Sequence, residues 1–311
     1  MCVGVLMCGA ASAQQWPVKP VRIINPFSPG GSLDLVSRLL AKGMSTDLGQ
    51  QFVVENRPGA GGSIGIELVA KSPPDGYTLL MVQSSLTVNP SLQRKVPYDP
   101  VKDFEPVSKV SSYMFFAVVH PSLPVRTVKE LITLAKAKPG QVNYASVGVG
   151  SGTNLAGELF GYMAGVQLTH IPYKGTGQVM PDLLGGQIAL SFGSTSVVPH
   201  VKQGKLHILG VTGARRAAVL PNAPTLDESG LKGYEVATWY AMWGVAGSPQ
   251  VINDRMVKEI ASALASNELK GLWAQQGAVI GAANPKDMAA FVSAEIAKWA
   301  KVAKSANIQV D

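Results

Sequence analysis

The chain has 311 residues, enough for about two domains at roughly 100–200 residues each. Apolar residues make up 46% and charged residues 15%, which excludes a disordered chain and allows sizeable buried cores. The net charge is +7, yet no Lys/Arg block stands out and the aromatics do not interleave with basic runs. The composition therefore argues against nucleic acid and for a mildly basic protein that welcomes anions.

Met1 to Ala13 carries no charge. An apolar run, Val3 to Met7, leads to small residues ending in Ala11-Ser12-Ala13, the pattern that signal peptidase accepts. Residues 1–13 are read as a secretory leader; a frayed apolar N-terminus is the plain alternative. No Lys or Arg precedes the apolar run, so the true leader is expected to begin upstream. Cys2 and Cys8 both lie in this segment, and cleavage after Ala13 leaves a chain without thiols, suited to an oxidising compartment. Met7 before Cys8 is not the small residue of a lipoprotein signal. No later segment offers 18 consecutive apolar residues, so no membrane span is expected.

Beyond the leader, short β-branched runs alternate with helical stretches. Val21–Ile24 reads as a strand. Leu33–Leu48 reads as a helix, with Leu33, Val36, Leu40, Met44 and Leu48 at helical spacing and Gly49 as the stop. Phe52–Val54 is a strand, Ile64–Lys71 a short helix and Tyr77–Val82 a strand. Phe115–Val119 is a further strand. Thr127 and Glu130 form a capping box that opens a helix stopping near Pro139-Gly140. Val142–Ser146 is a strand and Thr153–Ala164 a helix; Ile188–Phe192 and His207–Val211 are strands. The last third reads as three helices, Val251–Ala265, Glu268–Gln276 and Lys286–Ala303. This alternation predicts an α/β fold with parallel or mixed sheets flanked by helices. Two extended apolar stretches, near Phe116–Pro121 and Val236–Val245, are the places where the chain crosses between two lobes.

Two loops carry the chemistry. Asn25–Asp34 joins a strand to a helix through Pro29-Gly30-Gly31-Ser32, with Ser32 placed as N-cap. Glycines let backbone N–H groups approach a ligand, and a helix N-terminus attracts carboxylate or phosphate. Ser146–Asn154 repeats that logic with Gly148, Gly150, Ser151, Gly152 and Thr153. It lacks the third glycine and the acidic partner of a dinucleotide fingerprint, and no Gly-Lys-Ser/Thr phosphate loop occurs. An ordinary capped turn remains the alternative for each. Further candidates are Gln83-Ser84-Ser85 at a strand end, Tyr173, Lys174 and Thr176 before a helix, and Ser194 after Phe192-Gly193. Lys174 reads equally well as a solvated surface lysine.

Enzyme signals are weak. Gly61-Gly62-Ser63-Ile64-Gly65 matches the nucleophile pattern of hydrolases but follows no strong strand. His120, His170, His200 and His207 have no metal-like partner at short spacing, and no zinc or calcium motif is present. No catalytic residue, cofactor or metal is expected.

Several stretches together resemble one family. They include Asn25–Asp34, Val54–Gly62, Pro74-Asp75-Gly76-Tyr77-Thr78-Leu79-Leu80 and Pro97-Tyr98-Asp99-Pro100. Asn143-Tyr144-Ala145-Ser146, His170–Gly175, Leu220–Thr225 and Gly233-Tyr234-Glu235 continue the series. The chain resembles the receptors of tripartite tricarboxylate transporters, the TctC-like or Bug periplasmic solute-binding proteins, over essentially its whole mature length. The resemblance implies a two-lobed type II periplasmic binding protein fold with a ligand cleft between the lobes. Lobe 1 would comprise residues 14–118 and 239–311, and lobe 2 residues 119–238. A small carboxylate would be gripped by Phe27, Ser28, Pro29, Gly30, Gly31, Ser32 and Asp34 from one lobe. Gly148 to Asn154 would face it from the other. The monomeric receptor would deliver its ligand to membrane permease subunits; a sensor signalling to a kinase is the alternative. Two departures stand out: Gly193 occupies a place where members often carry Asp, and Val149 one where a polar residue is common. A less polar pocket suits a more apolar or aromatic acid.

Overall fold

The computed structural model describes residues 16–92, 95–148, 150–173, 176–276, 278–281 and 285–306. The expected leader lies outside them, as do Val149, Lys174 and Gly175. In chain order the elements are β1 (Val21–Asn25), α1 (Ser32–Leu48), β2 (Phe52–Asn56), α2 (Ser63–Ala70), β3 (Thr78–Gln83), α3 (Ser85–Leu92) and β4 (Phe104–Met114). Then follow β5 (Phe116–Val119), α4 (Val128–Ala137), β6 (Asn143–Ser146), α5 (Gly152–Ala164), β7 (Thr169–Pro172), α6 (Thr176–Leu184), β8 (Leu190–Gly193), α7 (Val198–Lys202) and β9 (His207–Val211). The chain closes with β10 (Ala237–Val245), α8 (Gln250–Leu264), α9 (Asn267–Gln276), β11 (Val279–Ile280) and α10 (Pro285–Ala306).

The strands form two mixed sheets. The first has the order β11-β4-β10-β3-β1-β2, with β1 parallel to β2 and β3, and β10 antiparallel to β3 and β4. The second has the order β7-β6-β8-β5-β9, with β6 parallel to β7 and β8, and β5 antiparallel to β8 and β9. β1 and β3 carry consecutive buried apolar residues, Ile23-Ile24 and Leu79 to Val82, because helices cover both faces. Ile23 packs in the cluster with α1 and α8, while its neighbour Ile24 packs in the one with α2 and α10.

Helix α1 buries the predicted stripe of Leu33, Val36, Leu40 and Met44, each contributing about 1.5–3 kcal/mol on removal from water. It ends at Gly49 in the left-handed conformation, as its sequence requires. The capping box at Thr127 and Glu130 is present, with Glu130 N–H donating to Thr127 Oγ1. One detail differs from expectation. Ser32 is not the N-cap of α1 but its first helical residue; the cap is Gly31, which offers no side chain.

The chain passes between the sheets twice, from β4 to β5 through Phe115 and from the β9 side back to β10 through Val236. Thr212, fully buried, ties the two passages together. Its hydroxyl accepts from Phe115 N–H at 2.8 Å and donates to Val236 C=O at 2.6 Å. Its own N–H donates to Phe115 C=O, and its C=O accepts from Val236 N–H, both at 2.9 Å. Helix α10 lies across the junction and packs on α3, β4 and α5. Within it Glu295 accepts hydrogen bonds from the buried indoles of Trp299, at 3.0 Å, and Trp239 of β10.

Candidate functional site

A cleft of about 380 Å³ separates the two sheets, a size suited to a small metabolite. Its walls come from both. Ser32 opens α1, Gln83 ends β3, Tyr113 and Met114 end β4, and Thr238 and Tyr240 start β10. Opposite stand Val147 after β6, Ser151, Gly152 and Thr153 at the start of α5, and Ser194 and Thr195 after β8; Phe115 lies at the first crossover. A larger hollow of about 650 Å³, lined by Glu158, Tyr162 and residues around β7, belongs to the second sheet alone. It touches neither of the two loops, and we do not assign the ligand to it.

Helices α1 and α5 start at the cleft. Each helix N-terminus carries roughly half a positive charge, from first-turn N–H groups without intrahelical partners. The two loops are braced by the same device. Gly30 N–H donates to Asp34 Oδ2 at 3.0 Å, and Gly150 N–H donates to Asn154 Oδ1 at 3.0 Å. In each lobe a polar side chain in the first helical turn thus reaches back four residues to fix a glycine.

Around these clamps the lobes differ. In the first, Asp34 also accepts from Arg38 and from Asn56 Nδ2 at 2.9 Å, and Asn56 Nδ2 bonds Phe27 C=O. In the second, Asn154 Nδ2 donates to Tyr144 OH at 2.8 Å, and Tyr144 donates to Glu158 at 2.6 Å. Ser146 Oγ holds Gly148 N–H at 3.0 Å and lies 2.6 Å from His170 Nε2. Thr153 Oγ1 accepts from Val147 N–H, and Ser151 Oγ caps α5 by accepting from Asn154 N–H.

Of the residues expected to bind, Ser32, Ser151, Gly152, Thr153 and Ser194 line the cleft together. Ser28, Pro29, Gly30 and Gly31 form the exposed β1–α1 loop beside it. Phe27 packs against the first-sheet core. Asp34 and Asn154 are buried and turned into their loops. Ser84 and Ser85 are buried at the β3–α3 corner, where Ser84 C=O accepts the first N–H groups of α3. Gly148 and Gly150 shape the second loop. Tyr173 donates its hydroxyl to Asp182 at 2.7 Å, and burial, with Asp182 beside it, pushes that phenol up to about 12. Thr176 opens α6; its side chain lies outside the described residues.

Sequence reading missed Tyr113, Met114 and Phe115 at one crossover and Thr238 and Tyr240 at the other. The stretch Val236–Val245, read from the sequence as a crossover, contains Thr238 and Tyr240; the one read near Phe116–Pro121 begins just after Tyr113, Met114 and Phe115, so the cleft-lining end of β4 falls outside it. Burial pushes the Tyr240 phenol up to about 12, against a hydrogen bond with Ser32 across the cleft wall that lowers it.

Burial alone would raise the Asp34 carboxyl, but hydrogen bonds from Arg38, Gly30 N–H and Asn56 outweigh it and hold the group below its usual range. A depressed carboxylate stabilises the fold above its unfolded pKa, near 4, and loses that contribution as pH falls through the folded value. We predict that Asp34→Ala costs about 2 kcal/mol at pH 7, from several lost charge-assisted hydrogen bonds. The gap to wild type should narrow below about pH 4. Urea unfolding at pH 7 and pH 3 checks this; a gap that does not change with pH contradicts it.

Ser63, the nucleophile candidate, is only 3% exposed and lies 3.2 Å from Asn89 Nδ2. His120, His170, His200 and His207 all belong to the other lobe, on or next to β5, β7, α7 and β9. The loop at Gly59–Ser63 is therefore structural.

Two α/β lobes joined by paired crossovers, with a helix N-terminus from each facing one polar cleft, define a two-lobed solute-binding protein. The model of the tripartite tricarboxylate transporter family receptor, TctC, matches residues 36–308, and the chain belongs to that family. It is 38% identical to Protein BugT of Bordetella pertussis over 296 residues, covering 94% of this chain and 91% of that protein. The structure of the periplasmic binding protein BugD matches with a TM-score of 0.76 at 36% identity, over 94% of this chain and 99% of BugD. An R. palustris protein solved with adipate matches with a TM-score of 0.79 at 36% identity, over 94% of this chain and 99% of that one. The fold is thus the two-lobed periplasmic binding protein fold, and the family is one of receptors. No helix among the described residues is long and apolar enough to cross a membrane.

Proposed function

We propose that the protein is a periplasmic receptor that binds a small carboxylate in the cleft and delivers it to the membrane subunits of a tripartite tricarboxylate transporter. The observation that carries this reading is the pair of helix N-termini, α1 and α5, at one cleft. Together they supply about one unit of positive charge, in a site rimmed by hydroxyls of Ser32, Ser151, Thr153, Ser194 and Thr238. Adipate in the R. palustris relative is a ligand of the same class. Family membership supports the permease partner, and the Ala11-Ser12-Ala13 leader supports export to the periplasm.

The working mechanism is hinged closure. The sheet to which each strand belongs supports turning points at Phe115 and Val236, slightly earlier than the 118/119 and 238/239 boundaries read from the sequence. A carboxylate that bridges the two loops stabilises the closed form by its extra affinity for that form.

A thermal-shift screen of the mature chain against mono-, di- and tricarboxylates, amino acids and sugars tests the reading. An acid at about one hundred times its Kd should add about 2.7 kcal/mol of stability. A shift from sugars, with none from any carboxylate, would overturn it.

A further inference from the structure

Behind the cleft, inside the second lobe, lies a chamber of about 140 Å³. Its walls are Phe115, Val147, Val179, Met180, Leu183 and Phe192, with small residues between them. It adjoins the cleft across Phe115, Val147, Thr153 and Ser194, which line both. Gly193 keeps one wall thin: a Cβ there would collide with Val197 Cγ1, so no larger residue fits without moving that wall. For scale, an apolar protein cavity of ~150 Å³ accepts benzene and stays dry.

The charge balance points the same way. Among the described residues lining the cleft and the chamber, none carries a charge. The two helix N-termini offset about one negative charge. A tricarboxylate would bring two more with no cation among the described lining residues to meet them, and desolvating an unpaired carboxylate is costly.

We infer that the chamber is a subsite for an apolar tail, and that the ligand is a monocarboxylate bearing an aryl or branched alkyl group of about benzene size. This rests on the proposed carboxylate cleft. The carboxylate sits at the starts of α1 and α5, and the tail passes Thr153 and Ser194 into the chamber.

The test is titration calorimetry of the mature chain with propionate, 3-phenylpropionate, succinate and citrate. The expected result is 3-phenylpropionate binding at least tenfold tighter than propionate and tighter than citrate. Two variants reshape the chamber. Ala145→Leu, at a fully buried wall position, should shrink the phenylpropionate-to-propionate preference at least fivefold. Met180→Ala, at a partly buried wall, should shift preference toward a naphthyl acid. The wild-type ranking decides even if Ala145→Leu fails to fold. Equal affinity for propionate and 3-phenylpropionate, or tightest binding of citrate, would overturn the chamber while leaving the carboxylate cleft intact. Binding of none of the acids would overturn the cleft and the chamber together.

Discussion

Gly152→Ala is expected to weaken carboxylate binding about ten- to a hundredfold. Gly152 opens α5 in the second lobe and stands against β10 of the first. A Cβ there would run into Thr238 Oγ1 and come within 2.6 Å of Phe115 Cζ. Phe115 is nearly buried at the first crossover, and Thr238 sits on the best-paired strand of the first sheet, so neither can retreat freely. Overpacking of this kind costs about 1–3 kcal/mol, and each 1.4 kcal/mol is tenfold in affinity. On the proposed hinged closure, the cost falls on the state in which the lobes meet around the ligand. Titration of wild type and variant with one acid checks this. An affinity within threefold of wild type would mean that α5 and β10 do not close on each other around the ligand.

Thr212→Val is expected to destabilise the protein by about 3 kcal/mol, although the two side chains have nearly the same shape. The hydroxyl satisfies Phe115 N–H and Val236 C=O in a fully buried position. Valine leaves both backbone groups unpaired, at about 1–3 kcal/mol each. The loss is concentrated where the two crossovers touch, so the variant should also loosen the coupling between the lobes. Urea unfolding gives the stability, and hydrogen exchange at Phe115 and Val236 reports the junction. A change below 1 kcal/mol would show that the Thr212 hydroxyl is not what binds the two passages.

The parts of this architecture that were legible in the sequence are those with strong local signals. The stripe from Leu33 to Leu48 with its terminal Gly49, the capping box at Thr127 and Glu130, and the apolar β3 could be read from period and punctuation alone. β4 could not. Its residues Glu105, Pro106, Ser108, Lys109, Ser111 and Ser112 carry no β-branched run, and the strand exists because β10 pairs along its whole length. α3 was hidden for a similar reason: Pro90 and two serines weaken its helical signal, while packing under α10 holds it.

The site was legible to the same degree. Both loops stood out through their glycines and hydroxyls. The orientation of Asp34 did not, because a carboxylate in a first helical turn has the same sequence whether it faces a ligand or its own loop. Only Gly30, Arg38 and Asn56, brought together from β2, the β1–α1 loop and α1, decide where its oxygens point. The aromatic side of the cleft, Tyr113 and Tyr240, comes from neighbouring strands whose rings stand 4.8 Å apart. No local spacing encodes that pair.

The central claim, that a carboxylate draws the two loops together, is tested most directly by an interlobe distance. The sequence contains cysteine only at positions 2 and 8, so with both replaced by serine the chain accepts two engineered labels without background. Leu35 on α1 and Lys202 on α7 are exposed and belong to opposite lobes. With fluorophores at these two positions, adding the acid that gives the largest thermal shift should shorten the distance, and dialysis should restore it. An unchanged distance at saturating acid would contradict closure around a shared carboxylate.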